Sequence, residues 1–197
     1  MRTVYLIRHG TPAFPDGKRI CLSRTDLPLC DLGHAQGAAL RTYFSQIALR
    51  GVYCSTLTRA RETAAYLSPQ AVAMEGFEEL GVGCWEGLTF REIRERYPEL
   101  YALRGEDPIK HVMPGGESPL DCQKRSVNAL QTLLAQTTGD IAIVAHAGVN
   151  RLILCSILHQ DATQFLSIPQ PYGCINILHV SHGELTANRI GFLPENT

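Results

Sequence analysis

Two histidines stand in matching surroundings, each just past a short apolar run. They close Val4-Tyr5-Leu6-Ile7-Arg8-His9-Gly10 and Ile141-Ala142-Ile143-Val144-Ala145-His146-Ala147-Gly148. A neutral imidazole can attack phosphorus and carry the group covalently. Such an attack needs fixed cations that neutralise the phosphoryl oxygens and hold them in line. Arg8 stands beside the first histidine, and Arg59 begins a helix-like segment after the short run ending at Cys54. An arginine there opposes the helix dipole by up to about 1 kcal/mol, so an anion beside it would account for the placement. Flanking arginines would also hold His9 unprotonated near neutral pH. A carboxyl group must then protonate the leaving oxygen. The pattern indicates phosphoryl transfer.

The elements that must position these residues alternate between strand-like and helix-like runs, which implies an α/β fold. The expected architecture is a three-layer α/β/α with a mixed, mostly parallel central sheet. Residues 1–197 are expected to form one domain, with 84–116 contributing a cap. Strands are expected at Thr3–Ile7, Val52–Cys54, Val72–Met74 and Ile141–Ala145, and a hairpin from Cys174 to Ile190 turns at His182-Gly183. Helices are expected over Leu32–Leu49 with Asp31 as N-cap, Arg59–Leu67, Thr89–Tyr97, Ser118–Ala135 and Val149–Leu158. Pro98 to Gly116 reads as irregular. If the two matching strands are neighbours, His9 and His146 face each other in the crevice at the strands' carboxyl ends.

Five segments, in order, resemble the motifs of the histidine phosphatase superfamily, the group related to cofactor-dependent phosphoglycerate mutase. They are Arg8-His9-Gly10, the run Ser55 to Ala64, Glu79-Leu80-Gly81-Val82-Gly83-Cys84-Trp85-Glu86-Gly87, Pro114-Gly115-Gly116-Glu117-Ser118, and His146 to Arg151. The resemblance implies that His9 takes the phosphoryl group and that Arg8, Arg59 and His146 bind it. It selects Arg59 over Arg61, and it points to Glu79 as the general acid, with Glu78 and Glu86 close by. It implies a phosphatase that needs neither metal nor other cofactor and acts on a small phosphate ester. The compact length and the Leu27-Pro28-Leu29 and Gly-Gly-Glu-Ser regions look most like small phosphatases such as α-ribazole phosphatase. A phosphoglycerate mutase is the alternative enzyme, and a non-catalytic phospho-ligand binder the alternative of another class. Two departures stand out. Pro12-Ala13-Phe14-Pro15 lies where many members place an asparagine, and Ser23 replaces a usual glycine.

Composition narrows the partners. The net charge of −1 supplies no field for nucleic acid or an anionic membrane,. Only Lys18, Lys110 and Lys124 are lysines among 18 basic residues, so arginine supplies the phosphate-binding forks,. Arg19, Arg24, Arg104 and Lys110 are candidate substrate contacts. No run is long enough to span a membrane and no secretory leader is read at the start. Seven scattered cysteines without a C-x-x-C favour reduced thiols and a cytoplasmic location,. Ser118, Pro119 and Asp121 suit a helix cap, and Trp85 a packing anchor. His179 and His182 do not share a strand face, which argues against zinc. The edge of the C-terminal hairpin leaves a homodimer open.

Overall fold

The computed structural model describes residues 2–194 of the chain. Its centre is a six-stranded sheet in the order β3-β2-β4-β1-β5-β6. The strands are β1 (Arg2–Arg8), β2 (Gly51–Cys54), β3 (Val72–Ala73), β4 (Ile141–Ala145), β5 (Ile175–Ser181) and β6 (Glu184–Phe192). β3, β2, β4 and β1 run parallel, and β5 and β6 add antiparallel at one side. β4 is buried at every position, as expected of a central strand covered on both faces,.

Strand alternation divides the core into two faces. Val4, Leu6, Ile141, Ile143 and Ala145 belong to the core on one face. They pack against α5 (Pro119–Gln136) and α6 (Ala147–Leu158). Tyr5, Ile7, Ala142 and Val144 point the other way, onto α1 (Asp31–Phe44) and α2 (Thr58–Ala65). A third, smaller cluster of Trp85, Ile93 and Met113 ties together α3 (Phe90–Arg96), α4 (Pro98–Glu106) and the turns around them. The three-layer, mostly parallel architecture is therefore present.

Several local expectations need correction. Residues from Pro98 are not irregular at the start but form α4, because Pro98 occupies the first helical turn, where its missing N–H costs nothing,. Tyr97, with φ −133° and ψ 51°, separates it from α3. Cys30, not Asp31, is the N-cap of α1, and the helix ends at Phe44. Asp31 instead sits in the first turn, where its charge complements the dipole,. Ser118 has the extended backbone of an N-cap and Pro119 follows at the first helical position, but the hydroxyl makes no capping bond. The hairpin turn has φ of 51° at His182 and 85° at Gly183, so its expected position holds,.

Candidate active site

Parallel pairing of β1 with β4 sets Arg8 opposite Ala145. The next residues of each strand are His9 and His146, and the His9 N–H still reaches the Ala145 carbonyl at 3.1 Å. The two rings lie 4.9 Å apart between centroids at 61°. The chain can turn sharply after His9 because Gly10 packs directly on α1. A Cβ on Gly10 would lie 2.6 Å from the Gly33 carbonyl oxygen. Thr63 on α2 completes the turn by accepting the Gly10 N–H at 3.0 Å.

The hydrogen bonds fix the tautomer of His9. Nδ1 is 2.7 Å from the Gly10 carbonyl, which can only accept, so Nδ1 carries the proton,. Arg59 Nε lies 3.3 Å from Nε2 and can only donate,. Nε2 therefore holds a lone pair. Burial, then the charges of Arg59 and Arg8, push the His9 pKa well below its ordinary value, against the opposite pull of the Gly10 hydrogen bond. His146 is likewise driven down by burial first, then by His9 and the arginines. Neither of its buried ring nitrogens has a hydrogen-bond partner among the described residues. A neutral imidazole so placed can turn its one N–H to a bound anion.

Arg59 stands in the first turn of α2 and is 1% exposed. Its Nη1 donates to the Thr25 carbonyl at 2.9 Å and its Nη2 to the Ser23 carbonyl at 2.6 Å. The loop supplying those carbonyls is itself clasped. Glu86 accepts the backbone N–H groups of Ser23, Arg24 and Thr25 at 2.9, 3.2 and 3.1 Å. Burial raises the Glu86 pKa, but those hydrogen bonds outweigh it and hold the carboxylate below its ordinary value. Ser23, the departure from the family glycine, is fully buried, and its Oγ accepts the Val82 N–H at 3.3 Å. Arg8 donates to the Gln170 carbonyl and lies with its guanidinium carbon 3.6 Å above the Tyr172 ring,.

The three neighbouring glutamates have different surroundings. Glu78 accepts from Thr56 Oγ1 and the Gly76 N–H and lies 3.7 Å from Arg125. Glu86 is engaged by the loop. Glu79 alone of the three lines the cavity beside the histidines. Its carboxyl accepts N–H groups from Leu80 at 2.8 Å and from Gly148 and Val149, both at 3.2 Å. The last two belong to the first turn of α6, whose N-cap is His146. One helix start thus holds both the acid candidate and the second histidine.

The profile of the histidine phosphatase superfamily (branch 1) matches residues 4–192. The chain belongs to this superfamily. It is 30% identical over 174 residues to a 6-phosphofructo-2-kinase/fructose-2,6-bisphosphatase of Caenorhabditis elegans, covering 85% of this chain. The chain spans only 37% of that relative's length. Among solved structures, YhfR of Bacillus stearothermophilus superposes with a TM-score of 0.89 at 26% identity, covering 97% of each chain. The α-ribazole phosphatase of Shigella flexneri superposes at 0.84 and 22% identity, covering 99% of this chain and 98% of its own, a likeness of fold.

In this member of the superfamily, Arg8, His9, Arg59, Glu79 and His146 come together at the carboxyl ends of β1, β2 and β4. The further contacts expected of four basic residues are realised unevenly. Arg19 and Arg104 line the cavity, whereas Arg24 and Lys110 do not. Arg24 faces Glu117 at 3.5 Å instead. Glu117 forms a two-point pair with Arg125, at 2.5 and 2.9 Å. Sequence reasoning passed over Thr63, Tyr172 and the clasp role of Glu86. The compact Pro169-Gln170-Pro171-Tyr172-Gly173 stretch before β5 was a usable sign for Tyr172. Glu86 offered none, since its partners are backbone groups some 60 residues away.

Proposed function

We propose that this chain is a phosphomonoesterase that works through a phosphohistidine, without a metal, on a small phosphorylated metabolite. The observation that carries the reading is the lone pair of His9 Nε2, presented between Arg59 and His146 in a buried site. Arg8, Arg59 and His146 surround the phosphoryl oxygens and offset the charge that develops as the P–O bond breaks. His9 Nε2 attacks phosphorus; a P–N bond forms and the ester P–O bond breaks. The Glu79 carboxyl gives its proton to the departing alcohol oxygen. Water then enters, yields a proton to the Glu79 carboxylate and attacks phosphorus, and the P–N bond breaks to release phosphate and neutral His9.

Residues 84–116 act as a cap in this reading, since Trp85, Phe90, Tyr101 and Met113 roof the cavity next to Glu79. A cytoplasmic location accords with seven cysteines that are all free thiols,. Phosphate release from an ester in the presence of chelator, wild type against His9→Ala, tests the mechanism. Acid-stable trapping of label is not expected, whereas base-stable label on His9 is. Turnover that survives His9→Ala overturns the proposal. Exchange between the two monophosphoglycerates with little phosphate release would make the protein a mutase.

A further inference from the structure

The 169–174 segment leads into β5, and its contacts converge on Arg8 and His9. The Arg8 N–H donates to the Cys174 carbonyl at 3.0 Å, and the Gly173 N–H donates to the His9 carbonyl at 3.2 Å. The Arg8 guanidinium donates through Nη1 to the Gln170 carbonyl and stacks on the Tyr172 ring. Its Nε is buried without a partner among the described residues, which leaves that N–H for a bound anion,. Tyr172 also flanks His9, with the two rings 5.5 Å apart between centroids.

Three buried amides, Asn150, Gln170 and Asn176, pin this segment to the elements around it. Two of them face each other reciprocally. Gln170 Nε2 donates to Asn176 Oδ1 at 2.7 Å, and Asn176 Nδ2 donates back to Gln170 Oε1 at 3.1 Å. Asn176 also donates to the Leu6 carbonyl of β1 at 2.8 Å and accepts the Gly191 N–H of β6 at 3.0 Å. Asn150, one turn beyond His146 on α6, donates to Gln170 Oε1 at 3.1 Å. The other Gln170 side-chain N–H goes to the Pro169 carbonyl at 2.8 Å. The Gln170 amide is thereby fully engaged. Apolar side chains would fill this space without desolvating three amides. A satisfied polar network does something more, because it admits one arrangement. What it fixes here is the Gln170 main-chain carbonyl, and through it the guanidinium of Arg8.

Resting on the reading of Arg8 as a phosphate ligand, we infer that Gln170 is a positioning residue of the phosphate site. Its side-chain amide, tied to Asn176 and Asn150, holds the carbonyl that aims Arg8 at the phosphoryl group. Gln170 itself does not line the cavity. Arg8, Arg59, His146 and Tyr172 all face His9, but only Arg8 and Tyr172 are held by this segment. The Arg8 charge is among those that keep His9 unprotonated. An Arg8 that swings away should therefore loosen phosphate and raise the pH at which His9 protonates.

Two variants test the assignment. Gln170→Met nearly keeps the volume and removes every side-chain hydrogen bond, whereas Asn150→Ser withdraws only the bond from α6. Calorimetry with inorganic phosphate, and the pH profile of kcat/KM for an aryl phosphate, are readouts that a purely structural role would leave alone. Gln170→Met is expected to weaken phosphate binding roughly tenfold or more, since small misplacements are costly, and to move the acid limb upward. Asn150→Ser should shift both in the same direction by less. A lower melting temperature with phosphate affinity and acid limb unchanged in the folded protein would overturn the inference. Should Gln170→Met not fold, Asn150→Ser decides: the smaller shifts support the role, and wild-type values overturn it. Wild-type protein that binds no phosphate would remove the phosphate site and this inference together. Phosphate binding that weakens in Gln170→Met, in a protein that hydrolyses no ester, would sink the enzymatic reading and leave the positioning role standing.

Discussion

Arg59 donates its Nε–H to Nε2 of His9 across 3.3 Å, so the cation nearest the nucleophile also opposes its protonation. The same guanidinium is locked by two carbonyls of the 23–25 loop. Replacing it by lysine keeps the charge but loses the fork. Arg59→Lys should lower kcat/KM by about 100-fold or more, on the scale of losing a preorganised charge donor. Near-wild-type turnover in a folded Arg59→Lys protein would show that the fork is dispensable.

The pH dependence of stability follows from the two histidines. Both are held neutral in the folded protein, with pKa values well below the ordinary 6.5. As pH falls through 6.5, the unfolded chain takes up protons that the folded chain refuses. Stability is therefore full above that pH and declines as pH drops toward the folded values, by at most about 1.4 kcal/mol per pH unit for each histidine. Melting temperatures from pH 8 to pH 5 should fall more steeply for wild type than for His9→Asn. Parallel curves would mean that His9 does not carry this linkage. The acid limb of kcat/KM should likewise lie well below 6.5.

Glu79→Gln removes the proton donor while keeping the shape. Turnover of alkyl phosphates should fall by about 100-fold or more, and that of aryl phosphates far less, because a phenolate leaves without help. Equal losses on both would take Glu79 out of the acid role.

Gly148 offers a subtler test of the same carboxyl. A Cβ there would sit 2.6 Å from Glu79 Oε1 and 3.1 Å from the Leu80 Cβ. The carboxyl is the movable party, so Gly148→Ala should displace it and cut kcat by roughly tenfold or more, since small misplacements are costly. Alanine suits a helix better than glycine, so the melting temperature should change little. A severe loss of stability without loss of kcat in the folded fraction would contradict this account.

Glu86 touches no reacting atom, yet it holds the loop that holds Arg59. Glu86→Gln should reduce kcat roughly tenfold and move the acid limb of the pH profile upward, as Arg59 drifts from His9. Glu86→Asp should restore part of both. A change in melting temperature alone, with kcat and the pH profile intact, would make Glu86 merely structural.

How much of this could be read from residues differs by element. The echo between the runs ending at His9 and His146 marked two buried strands, because Val4–Ile7 of β1 and all of β4 are apolar; that the two are neighbours came from the pairing itself,. Arg59 was legible as a cation at a helix start that conflicts with the dipole, though only the family resemblance separated it from Arg61,. α4 was not, since a proline after Tyr97 reads as a stop until backbone angles show it opening a new helix. The clasp of Glu86 on three consecutive amides was invisible for another reason. Backbone groups are the same at every position, so no spacing or residue type announces a carboxylate that captures them.

His9 and His146 directly follow the paired residues Arg8 and Ala145, on neighbouring strands whose backbones run roughly 4.8 Å apart,. The fold thus acts as a ruler. Nucleophile and partner are set one ladder rung apart by main-chain pairing, which no change in a distant side chain easily alters. Roof and rim residues can drift toward new alcohols while that measured interval stays the same.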